Sequence, residues 1–430
     1  MIECILNDGG DSVERRDFLK AVGMAGGLAA IGCQHQAAQA ATAASEPAPA
    51  TPGAPPAIGT ESRAAWNELL SLLSDADVRY LGKAWGIDRA GDVADGHRFL
   101  MHVLHSGMEQ WLEADPQRPR VVRFVTPTLK LLGDNPDAIY FTAPLDPKRR
   151  YRVRGNTGGA VYTSLTIEGG NADGHYPKRV AGALNDAQFD VKRDGSFEVM
   201  LGPEEKKGRN RLALEPDAGT LTTRHYFETP QSAAADPNPK VRLSVEPVED
   251  PGPPPTPTDA SIAAGIRRVA NYFRGATLEQ PPMDPSKQPP WVSRTPNEFK
   301  APMKWQPAEG GFGAVDNAYS MAPYVLLPDQ ALVIAGRWPK ARFANVVLWN
   351  RFMQTYDYAH RRVSLNRKQT KLERDGTFRI VVAHTDPGVP NWIDAEGRTS
   401  GLVFWRFQLP EETIATPIGK IVPLASLRVA

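Results

Sequence analysis

The chain repeats itself. Leu184-Asn185, Gln188, Arg193-Asp194-Gly195 and Phe197 reappear as Leu365-Asn366, Gln369, Arg374-Asp375-Gly376 and Phe378, at a constant offset of 181 residues. Gly155 and Gly336, and Asn210 and Asn391, keep the same offset, and Ala143-Pro144 meets Ala322-Pro323 within two residues of it. Spacing kept over most of a domain implies a repeated structural unit. Asp-Gly between β-rich runs predicts a type I′ hairpin, since both central residues then need positive φ. Phe189 to Lys192 should pair with Ser196 to Leu201, and Thr370 to Glu373 with Thr377 to Val382. Asp194 and Asp375 are then turn residues rather than acids.

The stretch from Glu61 to Ala114 has helical spacing, with Trp66, Leu69, Leu70 and Leu73 and then Leu100, Leu104, Met108 and Trp111. From Leu131 the period becomes two, as in Tyr151-Arg152-Val153-Arg154. Ile262, Ile266, Val269 and Phe273 mark another helix behind a Pro-rich linker. The expectation is an α+β chain, mainly β with helical segments. It should form two tandem antiparallel β-sandwich or jelly-roll-like domains, each preceded by a helical segment. The expected boundaries are a signal peptide at 1–40, an Ala/Pro-rich linker at 41–59 and a helical segment at 60–130. The first sandwich follows at 131–231, a Pro-rich linker at 232–258, a helical segment at 259–300 and the second sandwich at 301–430.

Arg15-Arg16-Asp17-Phe18-Leu19-Lys20 reads as the core of a twin-arginine signal. The apolar stretch from Ala21 to Ile31 is shorter than the roughly 20 residues that cross a bilayer. Ala38-Gln39-Ala40 supplies a cleavage site before Ala41. The expected partner is the twin-arginine translocase, the expected location periplasmic or secreted, with no transmembrane helix in the mature chain. Ala30-Ile31-Gly32-Cys33 resembles a lipoprotein box, an alternative that would put a lipid on Cys33. Cys4 and Cys33 are the only cysteines and both precede the cleavage site. Disulfides, thiolate metal ligands, iron–sulfur clusters and a Cys nucleophile are thereby excluded from the mature chain. With 50 Lys+Arg against 49 Asp+Glu, net charge carries no nucleic-acid binding.

Three stretches carry a resemblance. One is Gly133-Asp134-Asn135-Pro136-Asp137-Ala138-Ile139-Tyr140 running on to Tyr151-Arg152-Val153-Arg154-Gly155; the second is the Asp-Gly hairpin; the third is Asn391-Trp392 followed by Arg406. In the first half, Asn210 and Arg224-His225-Tyr226-Phe227 take the corresponding places. These residues resemble the family called domain of unknown function 1214, often found beside domain of unknown function 1254. The resemblance implies a β-sandwich core in each copy. Asn135-Pro136-Asp137 is answered by Asp316-Asn317-Ala318, and Asn391-Trp392 by Asn210-Arg211, so the two copies are not expected to hold equivalent sites.

Several groups could carry chemistry. Asp134 and Asp137 flank Asn135 in a tight loop that could serve as an acid–base pair, bind a cation or sugar hydroxyls, or simply form an Asx turn. Arg98, His102, His105 and Glu109 share one helical face, either a metal set or a solvated stripe. Trp349, Tyr356, Asp357, Tyr358 and His360 suit a sugar ring or another planar ligand, or pack at a sandwich edge. Asn391, Trp392 and Arg406 join the ligand-binding candidates, Arg406 as a carboxylate fork, and His225 offers a base. No nucleophile elbow, zinc-protease helix, phosphate loop or dinucleotide fingerprint is present. The metal and cofactor content is left open. The leading expectation is binding of a carbohydrate-like or other polar ligand. The alternatives are a periplasmic hydrolase using the carboxylate pair or an oxygen/His-ligated metal, and a structural envelope protein with the repeats as spacers.

Overall fold

The computed structural model describes residues 58–205, 208–281, 288–306 and 313–427. The first group of strands is β1 (Val122–Arg123), β2 (Ala138–Pro144), β3 (Tyr151–Asn156), β4 (Tyr162–Gly169), β5 (Arg179–Asn185), β6 (Ser196–Gly202), β7 (Arg211–Ala213), β8 (Ala218–Tyr226) and β9 (Arg242–Pro247). The second is β10 (Met303–Lys304), β11 (Asn317–Val325), β12 (Gln330–Gly336), β13 (Phe343–Trp349), β14 (Ser364–Asn366), β15 (Phe378–Ala383), β16 (Trp392–Asp394), β17 (Ser400–Gln408) and β18 (Ile418–Pro423). Each group makes a five-stranded and a four-stranded sheet. The orders are β1-β2-β8-β4-β5 with β7-β6-β3-β9, and β10-β11-β17-β13-β14 with β16-β15-β12-β18. The two groups are wired identically. Even the parallel pairs β6–β7 and β15–β16, set among antiparallel neighbours, correspond.

Within each group the two sheets pack face to face. Val153, Leu165, Ile167, Val199 and Leu221 fill the first interior; Ile334, Val346, Ile380, Val403 and Trp405 fill the second. On β3 this leaves the alternation read in the sequence, with Tyr151 and Val153 buried and Arg154 exposed. The five-stranded sheets are covered on both faces, so β4, β8 and β13 are buried along their whole length.

The matched residues do the same local work in both groups. Phe197 packs over Gly155 so closely that a Cβ there would lie 2.3 Å from its ring; Phe378 over Gly336 leaves 2.6 Å. Gln188 Oε1 accepts from Asn185 N at 2.9 Å, and Gln369 Oε1 from Asn366 N at 2.9 Å. The Asp-Gly turn differs from the type I′ expectation. Only Gly195 and Gly376 take positive φ there, at 82° and 79°. Lys192 N bonds Ser196 O, so three residues make the loop. Asp194 Oδ1 accepts from Ser196 N, and Asp375 Oδ1 from Thr377 N, each holding its own turn. The strands that follow pair mainly with β3 and β12, not with the segments just upstream.

Among the described residues three α-helices complete the fold: α1 (Glu61–Asp75), α2 (Ala90–Gly107) and α3 (Asp259–Ala276). Thr60 caps α1, and Thr258 with Ser261 forms a capping box on α3. In sequence, α1 and α2 precede the first group and α3 the second; in space, all three gather in one apolar cluster with Tyr140, Tyr162 and Tyr226. Ala65, Leu69 and Leu72 form the buried stripe of α1. Trp66, Leu70 and Met108, which helical spacing grouped with the apolar residues, are exposed instead. Among the described residues no helix is long and apolar enough to cross a membrane. The twin-arginine stretch, the cleavage site and both cysteines lie outside the described residues.

Candidate functional site: a cavity between the five-stranded sheets

The outer faces of the two five-stranded sheets meet around a cavity of about 80 Å³. A water takes about 10–15 Å³ on this measure, so the space suits a small organic molecule. Tyr140, Thr222, Arg224 and Tyr226 line it from the first group; Tyr319, Met321, Trp349, Phe404 and Arg406 line it from the second. Trp291, Trp305 and the Leu131–Asp134 segment complete the wall.

The two walls use the same device. Tyr140 stands opposite Arg224 across β2 and β8, and Tyr319 opposite Arg406 across β11 and β17. Both guanidinium groups are almost fully buried. Their surroundings differ. Arg224 donates to Thr166 Oγ1 at 2.8 Å and lies 3.6 Å from the Glu168 carboxylate, which is wholly buried. Burial pushes the Glu168 pKa up to about 7 against the pull of Arg224. In the second wall Trp349 takes the place of Glu168: Glu168 faces Thr220 on β8, and Trp349 faces Leu402 on β17. Arg406 donates from Nη2 to Gly133 O at 3.2 Å. Among the described residues its Nε and Nη1 meet no acceptor at good hydrogen-bonding geometry, and the Tyr319 hydroxyl approaches the guanidinium without completing such a bond. Aromatic rings surround it, with Phe404 5.0 Å and Trp349 6.0 Å from the guanidinium carbon.

Backbone strain collects at the same wall. Leu132 and Met353 both hold left-handed backbone, at φ 60° and 54°. A bulky side chain rarely adopts that region, and such strain concentrates at ligand clamps. Gly133, at φ 70°, lies between them and donates to Met353 O at 3.0 Å. A Cβ at Gly133 would come within 2.8 Å of the Trp349 ring.

The sequence-predicted residues fall in different places. Asp134 lines the cavity, but Thr355 N and Oγ1 take up its two oxygens, and its carbonyl accepts from Trp349 Nε1 at 2.9 Å. Burial pushes its pKa up to about 6, with Lys130 pulling the other way. Asn135 and Asp137 belong to the joint between the groups and do not line the cavity. Asn345 Nδ2 donates to Asn135 Oδ1 and Asp137 Oδ2, and Asn366 Nδ2 to Asp137 Oδ1 at 3.0 Å. The reverse contact is built from the equivalent residues: Asp316 Oδ2 accepts from Asn185 Nδ2 at 2.9 Å and from the Tyr162 hydroxyl. The counterpart of Asp137 is therefore Asp316, two residues off the sequence alignment, because β2 and β11 begin one residue after each.

Trp349 and Arg406 meet at the cavity. The Tyr356 hydroxyl is buried against Tyr324, while Asp357 pairs with His360 at the surface. Asn391 holds a left-handed turn, accepting from Lys371 N and donating to Arg379 O, as Asn210 does opposite Asp190. Trp392 donates to Ala383 O beside it. His102 Nδ1 accepts from Lys130 N, and Glu109 pairs with Arg120. Among the described residues no three His, Cys, Asp or Glu side chains gather as a metal site. His225 lies buried between the hydroxyls of Thr163 and Thr223.

Sequence reasoning missed Tyr140, Tyr226, Tyr319 and Phe404 as members of one site, and Glu168 as the acid behind Arg224. A usable signal was present: a charged residue inside a run otherwise buried on both faces, as in Val403-Phe404-Trp405-Arg406-Phe407.

The fold is similar to that of an uncharacterized protein from Burkholderia cenocepacia. That crystal structure matches at 26% sequence identity and a TM-score of 0.72, covering 85% of this chain and 98% of that one. The VPA0106 protein from Vibrio parahaemolyticus matches at 12% identity and a TM-score of 0.43, covering 76% of this chain and 98% of that one. No curated protein matches the chain. Residues 330–412, the stretch that holds Trp349, Phe404 and Arg406, match the family described as Protein of unknown function (DUF1214).

Proposed function

We propose that the protein binds a small, largely apolar organic acid in the cavity between the five-stranded sheets, with Arg406 holding the acid group. The observation that carries this is the buried Arg406 guanidinium at the cavity wall, two of whose nitrogens meet no well-placed acceptor among the described residues. A buried charge without a counter-ion costs several kcal/mol, and an anionic ligand would offset that cost. The aromatic walls favour a flat apolar body over a sugar, whose hydroxyls need more hydrogen-bonding partners. The hydrolase alternative needs two carboxylates in one cleft. Asp134 meets that condition and Asp137 does not.

Titration calorimetry with benzoate and phenylacetate tests the reading. The protein should bind at least one of them, and Arg406→Gln should weaken binding about tenfold or more, the worth of a charge-assisted hydrogen bond. Failure of the unaltered protein to bind either acid, or equal binding by a folded Arg406→Gln variant, overturns it.

We also infer export by the twin-arginine route, supported by Arg15-Arg16 and the Ala38-Gln39-Ala40 cleavage site. Replacing both arginines with lysine should hold the full chain in the cytoplasm on cell fractionation. Unchanged distribution would exclude the route, and a lipid on Cys33 would appear as a mass increase lost in Cys33→Ser.

A further inference from the structure

We propose that Glu168 restricts the cavity to ligands with a single anionic group, by acting as a built-in counter-ion for Arg224. The proposal rests on the cavity being an acid site, and goes on to state which acids it accepts.

The walls offer two register-equivalent arginines, so a symmetric cavity would take a dianion, one acid group on each. The asymmetry lies in one pair of positions. Glu168 stands four residues along the cross-strand ladder from Arg224, and its carboxylate reaches the guanidinium at 3.6 Å. At the equivalent position the second wall has Trp349, which adds a ring and no charge. Arg224 is thus compensated from within, and among the described residues Arg406 forms no ion pair. The other acids nearby are committed elsewhere. Asp134 is held by Thr355 beside Lys130, and Asp137 by Asn345 and Asn366. A second anionic group beside Arg224 would meet Glu168 at close range, where like charges repel strongly. Arg224 is the largest stabiliser of the Glu168 charge, and the Thr222 hydroxyl beside it adds to the same effect.

The test compares benzoate with benzene-1,4-dicarboxylate by titration calorimetry on the full mature chain. The unaltered protein should favour the monoacid about tenfold or more. Glu168→Gln should bring the ratio to one or reverse it, and the dicarboxylate should then raise the melting temperature of that variant more than benzoate does. Glu168→Asp retracts the carboxylate by one methylene and should move the ratio part of the way, which covers a Glu168→Gln chain that does not fold. An unaltered protein that binds benzoate while neither variant changes the ratio overturns this proposal and leaves the acid site standing. An unaltered protein that binds neither acid overturns both.

Discussion

Asp137 and His225 pull stability in opposite directions with pH. Asp137 is wholly buried and its oxygens accept only from neutral amides, so burial dominates and pushes its pKa up to about 6 from 3.8. The folded chain then binds this proton more tightly than the unfolded one. Stability is lost as pH rises from about 4 through 6, and the loss is complete above that. Asp134, also near 6, and Glu168, near 7, add to the same slope. Burial pushes His225 down to about 3 from 6.5, so its share of stability is lost as pH falls below 6.5. Asp137→Asn should reduce the stability difference between pH 5 and pH 8, read by urea unfolding, by roughly 1.4 kcal/mol. An unchanged slope would mean that Asp137 stays ionised at little cost. At this scale the sequence offered residue types without their surroundings. Asp134 and Asp137 were legible as a pair of acids. That one lines a cavity and the other bolts two sheets together depends on Asn345, Thr355 and Asn366, more than 200 positions away.

The elements were more legible, because their signals are local. Each residue of the repeat has a structural task inside its own group of strands: the Gly–Phe contact, the Gln-to-backbone bond, the left-handed Asn. Asn391 shows what such a task is worth. It holds φ 60° and bonds Lys371 N and O as well as Arg379 O. Asn391→Ala should cost about 2–3 kcal/mol in chemical unfolding, from lost hydrogen bonds and strained backbone. Asn391→Gly should cost less, since only the bonds are lost. Equal costs would show that conformation plays no part. The type I′ reading of Asp-Gly went astray because two residues cannot reveal how many more complete the loop. The Tyr–Arg pairs were hidden for a related reason. Alternation separates two faces of a strand but cannot say what covers the second. Here it is the other sheet.

The whole molecule depends on that mutual cover. Asp137 with Asn366 and Asp316 with Asn185 cross the joint in both directions, giving it the character of a two-fold interface within one chain. Phe343 and Phe352 of the second group complete the helical cluster of the first. The Pro-rich connection is itself pinned, with Arg118 Nη2 donating to Gly252 O at 2.7 Å. Calorimetry should therefore give one unfolding transition. Residues 58–250 and 251–427 expressed apart should expose Tyr140, Tyr226, Tyr319 and Phe404 and bind a hydrophobic dye. Two separate transitions, or two stable parts, would show that the joint is dispensable. The cavity also gives the molecule an optical handle. Of nine tryptophans, Trp291, Trp305 and Trp349 stand at its wall. A third of the indole rings therefore stand around the cavity beside Arg406. Whatever settles there will change the colour or brightness of the protein's own fluorescence, so unlabelled candidates can be sorted by light alone.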